Sequence, residues 1–183
     1  GRVVAFLKSK TASEMVKDLL KFSNNFVAEM LTKLLAAHHG QVPATLSGGL
    51  QRIQNCLAQK GLQRAHFTMD SPSGLSRDNF FRPSDLMQLL GSAQQNFSYF
   101  PEFLSAFPIA GVDGTLKKRM NGTKAEGWVR AKTGMLSGVI GLAGFAAKIS
   151  GERYRFVFMY NGSKKKQWEA RRLFDRMAQT LVK

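Results

Sequence analysis

Three consecutive residues, Lys132-Thr133-Gly134, lie inside the strand-forming run Trp128 to Leu136. An ammonium beside a hydroxyl on a strand edge offers charge and hydrogen bonds, and the glycine behind them lets another backbone lie close. Such an edge can serve as a binding site. Far upstream, Ser23-Asn24-Asn25 interrupts a helical pattern with three residues that prefer turns and caps. Ser23 and Asn25 are expected to project from a polar corner between two helices. Alternatively, Ser23 and Asn24 simply cap the second helix.

The elements that must position these groups follow from periodicity. Arg2 to Leu7 reads as a short strand, and Thr11 with Glu14 three residues on forms a helix-start capping box. Met15, Val16, Leu19, Leu20 and Phe22 keep helical spacing before the corner, and Phe26, Val27, Met30, Leu31, Leu34 and Leu35 resume it up to Gly40. Thr45 to Gly61 predicts an amphipathic helix on Leu46, Leu50, Ile53 and Leu57, with Cys56 packed inside. Ser71 to Asn79 is dense in turn formers and reads as a loop, after which Pro83 and Pro101 each open a helix. Beyond the Lys-Thr-Gly strand, Gly138 to Ile149 and Tyr154 to Tyr160 predict two more antiparallel strands. A closing helix from Lys165 to Val182 is expected to bury Trp168, Leu173, Phe174, Met177 and Leu181, with Arg171, Arg172 and Arg176 on or beside its wet side. No linker or repeat divides residues 1–183, which predicts a single domain.

At this point three segments resemble one family. Lys21-Phe22-Ser23-Asn24-Asn25 is similar to the Ser-x-Asn loop of penicillin-binding proteins, and Lys132-Thr133-Gly134 to their Lys-Thr-Gly strand. The core Ser73-Gly74-Leu75-Ser76-Arg77 resembles a loop of the D-alanyl-D-alanine carboxypeptidase/endopeptidase family, peptidase S13 or DacB-like, although Ser71-Pro72 stands where that family has Asp-Gly. Gly111-Val112-Asp113-Gly114-Thr115-Leu116 and Gly138 to Phe145 also resemble it, and the segments fall in the family's order. Asp-Gly being first a turn signal, the former segment is assigned structural support.

The resemblance implies a β-lactamase/transpeptidase-like α/β (α+β) fold, an antiparallel sheet flanked by helices. It implies a serine-type hydrolase that cleaves D-Ala-D-Ala or D-Ala-linked amides of peptidoglycan through an acyl-enzyme, is acylated by β-lactams, and works in the periplasm or another extracytoplasmic space. Ser23 would pass a proton to the leaving amine, and Asn25 would orient the catalytic lysine and the substrate amide. Lys132 and Thr133 would meet the substrate's terminal carboxylate, and the Met135 amide would form half of an oxyanion hole. Arg77 would grip a peptide carboxylate, with Gly134 and Ser137 lining the substrate path; a solvated loop arginine is the alternative for Arg77.

The family's third motif, Ser-x-x-Lys ahead of Ser-x-Asn, is not found here. Ser9 and Ser13 are followed three residues on by Ala12 and Val16, while Ser163 with Lys166 comes after the last strand and reads as a surface turn. The nucleophile and base are therefore expected from a segment preceding Gly1, whose neighbours read as a processed, engineered or truncated start, and the chain alone is expected to be inactive.

Composition narrows the alternatives. No apolar run reaches 18 residues, so no segment is expected to span a membrane. One cysteine cannot form an internal disulfide, and His38, His39 and His66 lack metal-ligand spacing, so neither metal nor cofactor is expected. The net charge of +15 attracts polyanions in general, but the basic residues are scattered and mark no specific nucleic-acid module. Two rival readings stay open: a non-catalytic relative that binds cell-wall peptide or β-lactam, and a cationic polyanion-binding protein.

Overall fold

The capping box at Thr11 does start a helix: its hydroxyl accepts from the Glu14 amide, and the Glu14 carboxylate accepts from the Thr11 backbone. In the computed structural model, which describes residues 2–183, this helix α1 (Ala12–Phe22) is followed by α2 (Asn25–His38). Ser23 ends α1 with φ 54°, and Asn24 caps α2 by accepting from the Val27 amide at 3.1 Å. The two readings of the corner are thus shared out: Asn24 takes the capping role, which leaves the Ser23 hydroxyl free for another partner.

Helix α3 (Leu46–Gln59) packs on α2 through Gly49, where a side chain would come within 2.0 Å of the Thr32 carbonyl. Two short strands, β1 (Phe67–Thr68) and β2 (Phe80–Phe81), clasp the predicted loop, and Phe67 stacks on Phe81. Helices α4 (Pro83–Gln94) and α5 (Phe100–Ala106) follow, each opened by its proline. The meander β3 (Val129–Leu136), β4 (Val139–Ala147) and β5 (Arg153–Asn161) is antiparallel and in chain order, and α6 (Gln167–Thr180) closes the chain.

Strand alternation sends the two faces of β4 to different cores. Ile140, Leu142 and Ala146 join Val129, Ala131, Phe156 and Phe174 under α6. Phe145 points the other way and packs with Leu90 of α4 and Phe107, which it meets edge to face. Helices therefore cover both faces of the sheet, as the resemblance implied.

Three expectations are corrected. Residues 2–10 form no strand, and Val3, Val4, Phe6 and Leu7 are exposed, because an extended apolar run is held only where a sheet edge pairs with it. Cys56 is exposed on α3, rotated away from buried Leu50. Helix α6 buries Gln167, Ala170, Phe174 and Ala178, so of the expected stripe Phe174 is buried while Trp168 and Leu173 stay nearly half exposed. Alanines let the helix approach the sheet closely, and that outweighed the bulkier stripe.

Candidate active site

Strand β3 lies at one edge of the sheet, and only its first half is covered. The Ala110 amide donates to the Val129 carbonyl at 2.9 Å, and the Ala131 amide to the Pro108 carbonyl at 3.0 Å, so residues 108–110 act as a partial fourth strand. Beyond Ala131 that segment turns away toward α5. Because strand amides alternate in direction, the Thr133 and Met135 amides face the same side as that of Ala131, toward the uncovered edge. Gly134 pairs with Gly141 of β4, so neither strand raises a side chain at that register.

The helix corner closes one side of this open edge. The Lys132 ammonium donates to the Ser23 hydroxyl at 2.7 Å and to the Thr133 carbonyl at 2.7 Å. Residues 109 positions apart thus meet directly. Burial pushes Lys132 down from 10.5 to about 8. Among the described residues no carboxylate pairs with it, so its charge is held by a hydroxyl and a carbonyl alone.

The corner is fixed from behind. Lys21, only 5% exposed, places its ammonium 2.6 Å from the Asp113 carboxylate and 2.6 Å from the Phe107 carbonyl. The other Asp113 oxygen accepts from the Ile109 amide at 2.8 Å. One ion pair therefore ties the end of α1 to the segment that covers β3, two residues before Ser23. Gly114 is required for this approach: with φ +54° it lies so close to α1 that a side chain would come within 2.5 Å of the Lys21 carbonyl.

The remaining predicted residues are placed as follows. The Thr133 hydroxyl donates to the Thr115 hydroxyl at 3.0 Å. Asn25 is exposed at the start of α2, on the same corner as Ser23, while Lys132 spends its bonds elsewhere. Gly134, Met135 and Ser137 are exposed along the end of β3 and its turn. Arg77 is exposed and donates to the Ser137 carbonyl at 2.9 Å, which brings its loop to the far end of the open edge. Ser163 caps a short turn by accepting from the Lys165 amide, as expected of a surface turn.

An apolar cavity of 390 Å³ opens beside Lys132 and Gly134, walled by Leu86, Leu90, Phe103 and Val157. Another cavity, at the far end of the sheet around Trp128 and Tyr154, holds none of these residues. Among the described residues no cluster of His, Cys, Asp and Glu could hold a metal ion, and no helix is long and apolar enough to cross a membrane.

Sequence reasoning missed Lys21, Asp113 and Thr115 as contributors. Asp113 and Thr115 lay inside a segment assigned to structural support, and nothing in its local pattern says that the carboxylate reaches α1 or the hydroxyl reaches β3.

Comparison with known proteins bears on the family and the fold. A D-alanyl-D-alanine carboxypeptidase of an Actinomadura species is 38% identical over 170 residues, covering 88% of this chain and 30% of the relative. The crystal structure of penicillin-binding protein 4 (dacB) from Haemophilus influenzae superposes with a TM-score of 0.79 at 29% identity, covering 91% of this chain and 39% of that one; it has also been solved in complex with a β-lactam. An extended-spectrum β-lactamase shares the fold, with a TM-score of 0.65 at 16% identity over 91% of this chain and 64% of that one. The chain thus spans about a third of the length of the carboxypeptidases it matches. Since the model of the D-Ala-D-Ala carboxypeptidase 3 (S13) family matches residues 1–182, the chain belongs to that family.

Proposed function

We propose that this chain forms the Ser-x-Asn and Lys-Thr-Gly walls of a serine-type D-Ala-D-Ala carboxypeptidase/DD-endopeptidase that acts on peptidoglycan stem peptides outside the cytoplasm. The observation that carries the reading is the 2.7 Å bond between Lys132 and Ser23, made across the mouth of an open strand edge. A substrate backbone laid along that edge meets the Thr133 and Met135 amides as a further strand would.

The nucleophile comes from a Ser-x-x-Lys segment outside this chain, and the apolar cavity beside Lys132 is the place for it to pack. Its serine oxygen bonds to the carbonyl carbon of the scissile amide while the serine proton passes to the segment's lysine. The Met135 amide donates to the developing oxyanion. As the C–N bond breaks, the Ser23 hydroxyl hands a proton to the leaving amine and regains one from the segment's lysine, which had taken it from the serine, with Asn25 holding the substrate amide in line. Water then attacks the ester and regenerates the serine. Lys132, which no carboxylate among the described residues neutralises, keeps positive potential over both steps and faces the substrate's terminal carboxylate. A β-lactam traverses the first half and remains attached.

Labelling with a fluorescent penicillin tests the reading. The chain joined to a Ser-x-x-Lys segment should form a covalent adduct on that segment's serine, whereas the chain alone should form none. A joined protein that folds but stays unlabelled would exclude catalysis and leave a binding relative. Binding of polyanions that collapses with salt and ignores Lys132→Ala would instead favour the cationic-protein reading.

A further inference from the structure

The cavity at the far end of the sheet, 340 Å³ in volume, lies on the face covered by α4 and α5. Register fixes its floor. Trp128, Ala147 and Arg153 form one cross-strand row, and Arg130, Phe145 and Arg155 the next. Side chains alternate along a strand, so all six leave the sheet on the side where Phe145 packs beside Phe100. Helix α5 adds Phe100 and Leu104, one turn apart, and Gln94 at the end of α4 closes the side. Lys132 stands in the row that follows, about 13 Å along β3 from Trp128, so the cavity and the open edge are separate places on one strand.

The lining is rich in donors and holds no negative charge. Arg130 is half-buried and Arg153 exposed, and no carboxylate lines the cavity. Among the described residues no carboxylate stands at ion-pair distance from either guanidinium. Glu152, beside Arg153 in sequence, is committed to the Lys148 ammonium at 2.6 Å and accepts from the Tyr154 hydroxyl at 2.7 Å. Arg155 differs from both: its guanidinium lies against Gly91 in the last turn of α4, where the helix end favours a cation. Two positive charges are thus left to a space walled by Trp128, Phe100 and Leu104.

Those walls suit one kind of ligand. Trp128 is 41% exposed and offers an aromatic face, whose negative quadrupole attracts the C–H bonds on one side of a saturated ring. The guanidiniums and the Gln94 amide surround that face with donors, which a ring bearing oxygens around its rim can meet. A cavity at the small end of the roughly 300–1,000 Å³ typical of ligand pockets holds one such ring with its substituents. We propose that it binds an acidic sugar, a six-membered ring carrying one carboxylate, with Trp128 against the ring face and the guanidiniums of Arg130 and Arg153 holding its acid and ring oxygens. The site is distinct from the edge where the peptide is cut and adds a hold on the polysaccharide that carries it. The link to that polysaccharide rests on the functional reading above, whereas the sugar chemistry stands on the cavity alone.

Calorimetric titration of this chain with N-acetylmuramic acid, glucuronic acid and the neutral N-acetylglucosamine provides the test. At least one of the acids should bind about tenfold more tightly than the neutral sugar, and the tighter acid names the source, the peptidoglycan glycan or a uronate polysaccharide. Arg130→Gln combined with Arg153→Gln should erase that preference without moving the thermal midpoint, and Trp128→Leu should weaken acid and neutral sugar by the same factor. Equal binding of acids and neutral sugar, a preference undiminished in the arginine double variant, D-lactate or inorganic phosphate binding as tightly as the acids, or loss of binding once a Ser-x-x-Lys segment is joined would each overturn the proposal. Penicillin labelling keeps the two readings apart. A labelled protein that treats acidic and neutral sugars alike loses only this site, whereas acid selection without labelling keeps the site and loses catalysis.

Discussion

Two lysines are withdrawn from solvent beside the same helix corner, and they differ in what they face. Lys21 is almost wholly buried against the Asp113 carboxylate, while Lys132 is partly buried against a hydroxyl and a carbonyl. The first arrangement cancels charge and holds two segments together. The second leaves charge uncancelled where a ligand can reach it, at a cost to the folded state. A structural ion pair and a reactive cation are thus told apart by their partners rather than by burial alone.

Removing the reactive cation should have the largest effect. Lys132→Met in the joined protein is expected to slow penicillin acylation on the order of a hundred- to a thousandfold, read from the rate of fluorescent labelling. The same substitution should not lower the thermal midpoint. Its pH behaviour sharpens the contrast. Because the folded-state value of about 8 lies below the ordinary 10.5, the unfolded chain binds more protons between those limits. Stability should therefore rise as pH climbs from about 8 to 10.5, a contribution that Lys132→Met abolishes in thermal melts. A wild-type and a variant curve that stay parallel across that interval would show Lys132 to be solvated.

Lys21→Met should behave in the opposite way, lowering stability before chemistry. It leaves the Asp113 carboxylate facing the Phe107 carbonyl, and about 2 to 3 kcal/mol should be lost in denaturant unfolding. That is less than a fully buried pair would lose, since Asp113 is 38% exposed. Loss of acylation without loss of stability would mean that Lys21 belongs to the reactive set after all. The smallest effect is expected at Arg77. Arg77→Ala removes one exposed bond to the Ser137 carbonyl, so stability should hold and the KM for peptide should rise less than about tenfold.

The fold was readable wherever a local rule set the outcome. The Thr11 capping box, the prolines opening α4 and α5, and the alternation of β3 to β5 act within a few residues, so the chain displays them directly. The helix faces were less legible. In α2 the buried line is Ala28, Thr32 and Ala36, with Phe26 outside, and in α6 it runs through Ala170 and Ala178. Small residues carry little hydrophobic signal, yet they allow the closest approach, and the approach distance belongs to the partner surface. The apolar run at residues 2–7 misled for a related reason: strand pairing is a property of two segments, and one of them cannot declare it.

The candidate site divides along the same line. The chain's own order of residues determined the family, the corner at Ser23 to Asn25 and the strand at Lys132 to Met135, because each is a short motif whose spacing is fixed by the backbone. Tertiary structure alone decided that Lys132 meets Ser23, that Asp113 anchors α1, and that Arg130 and Arg153 share a cavity that no carboxylate lines. Those are relations between groups tens of residues apart, and the energies that set them, burial of charge and the matching of donors to acceptors, exist only once the chain has closed on itself.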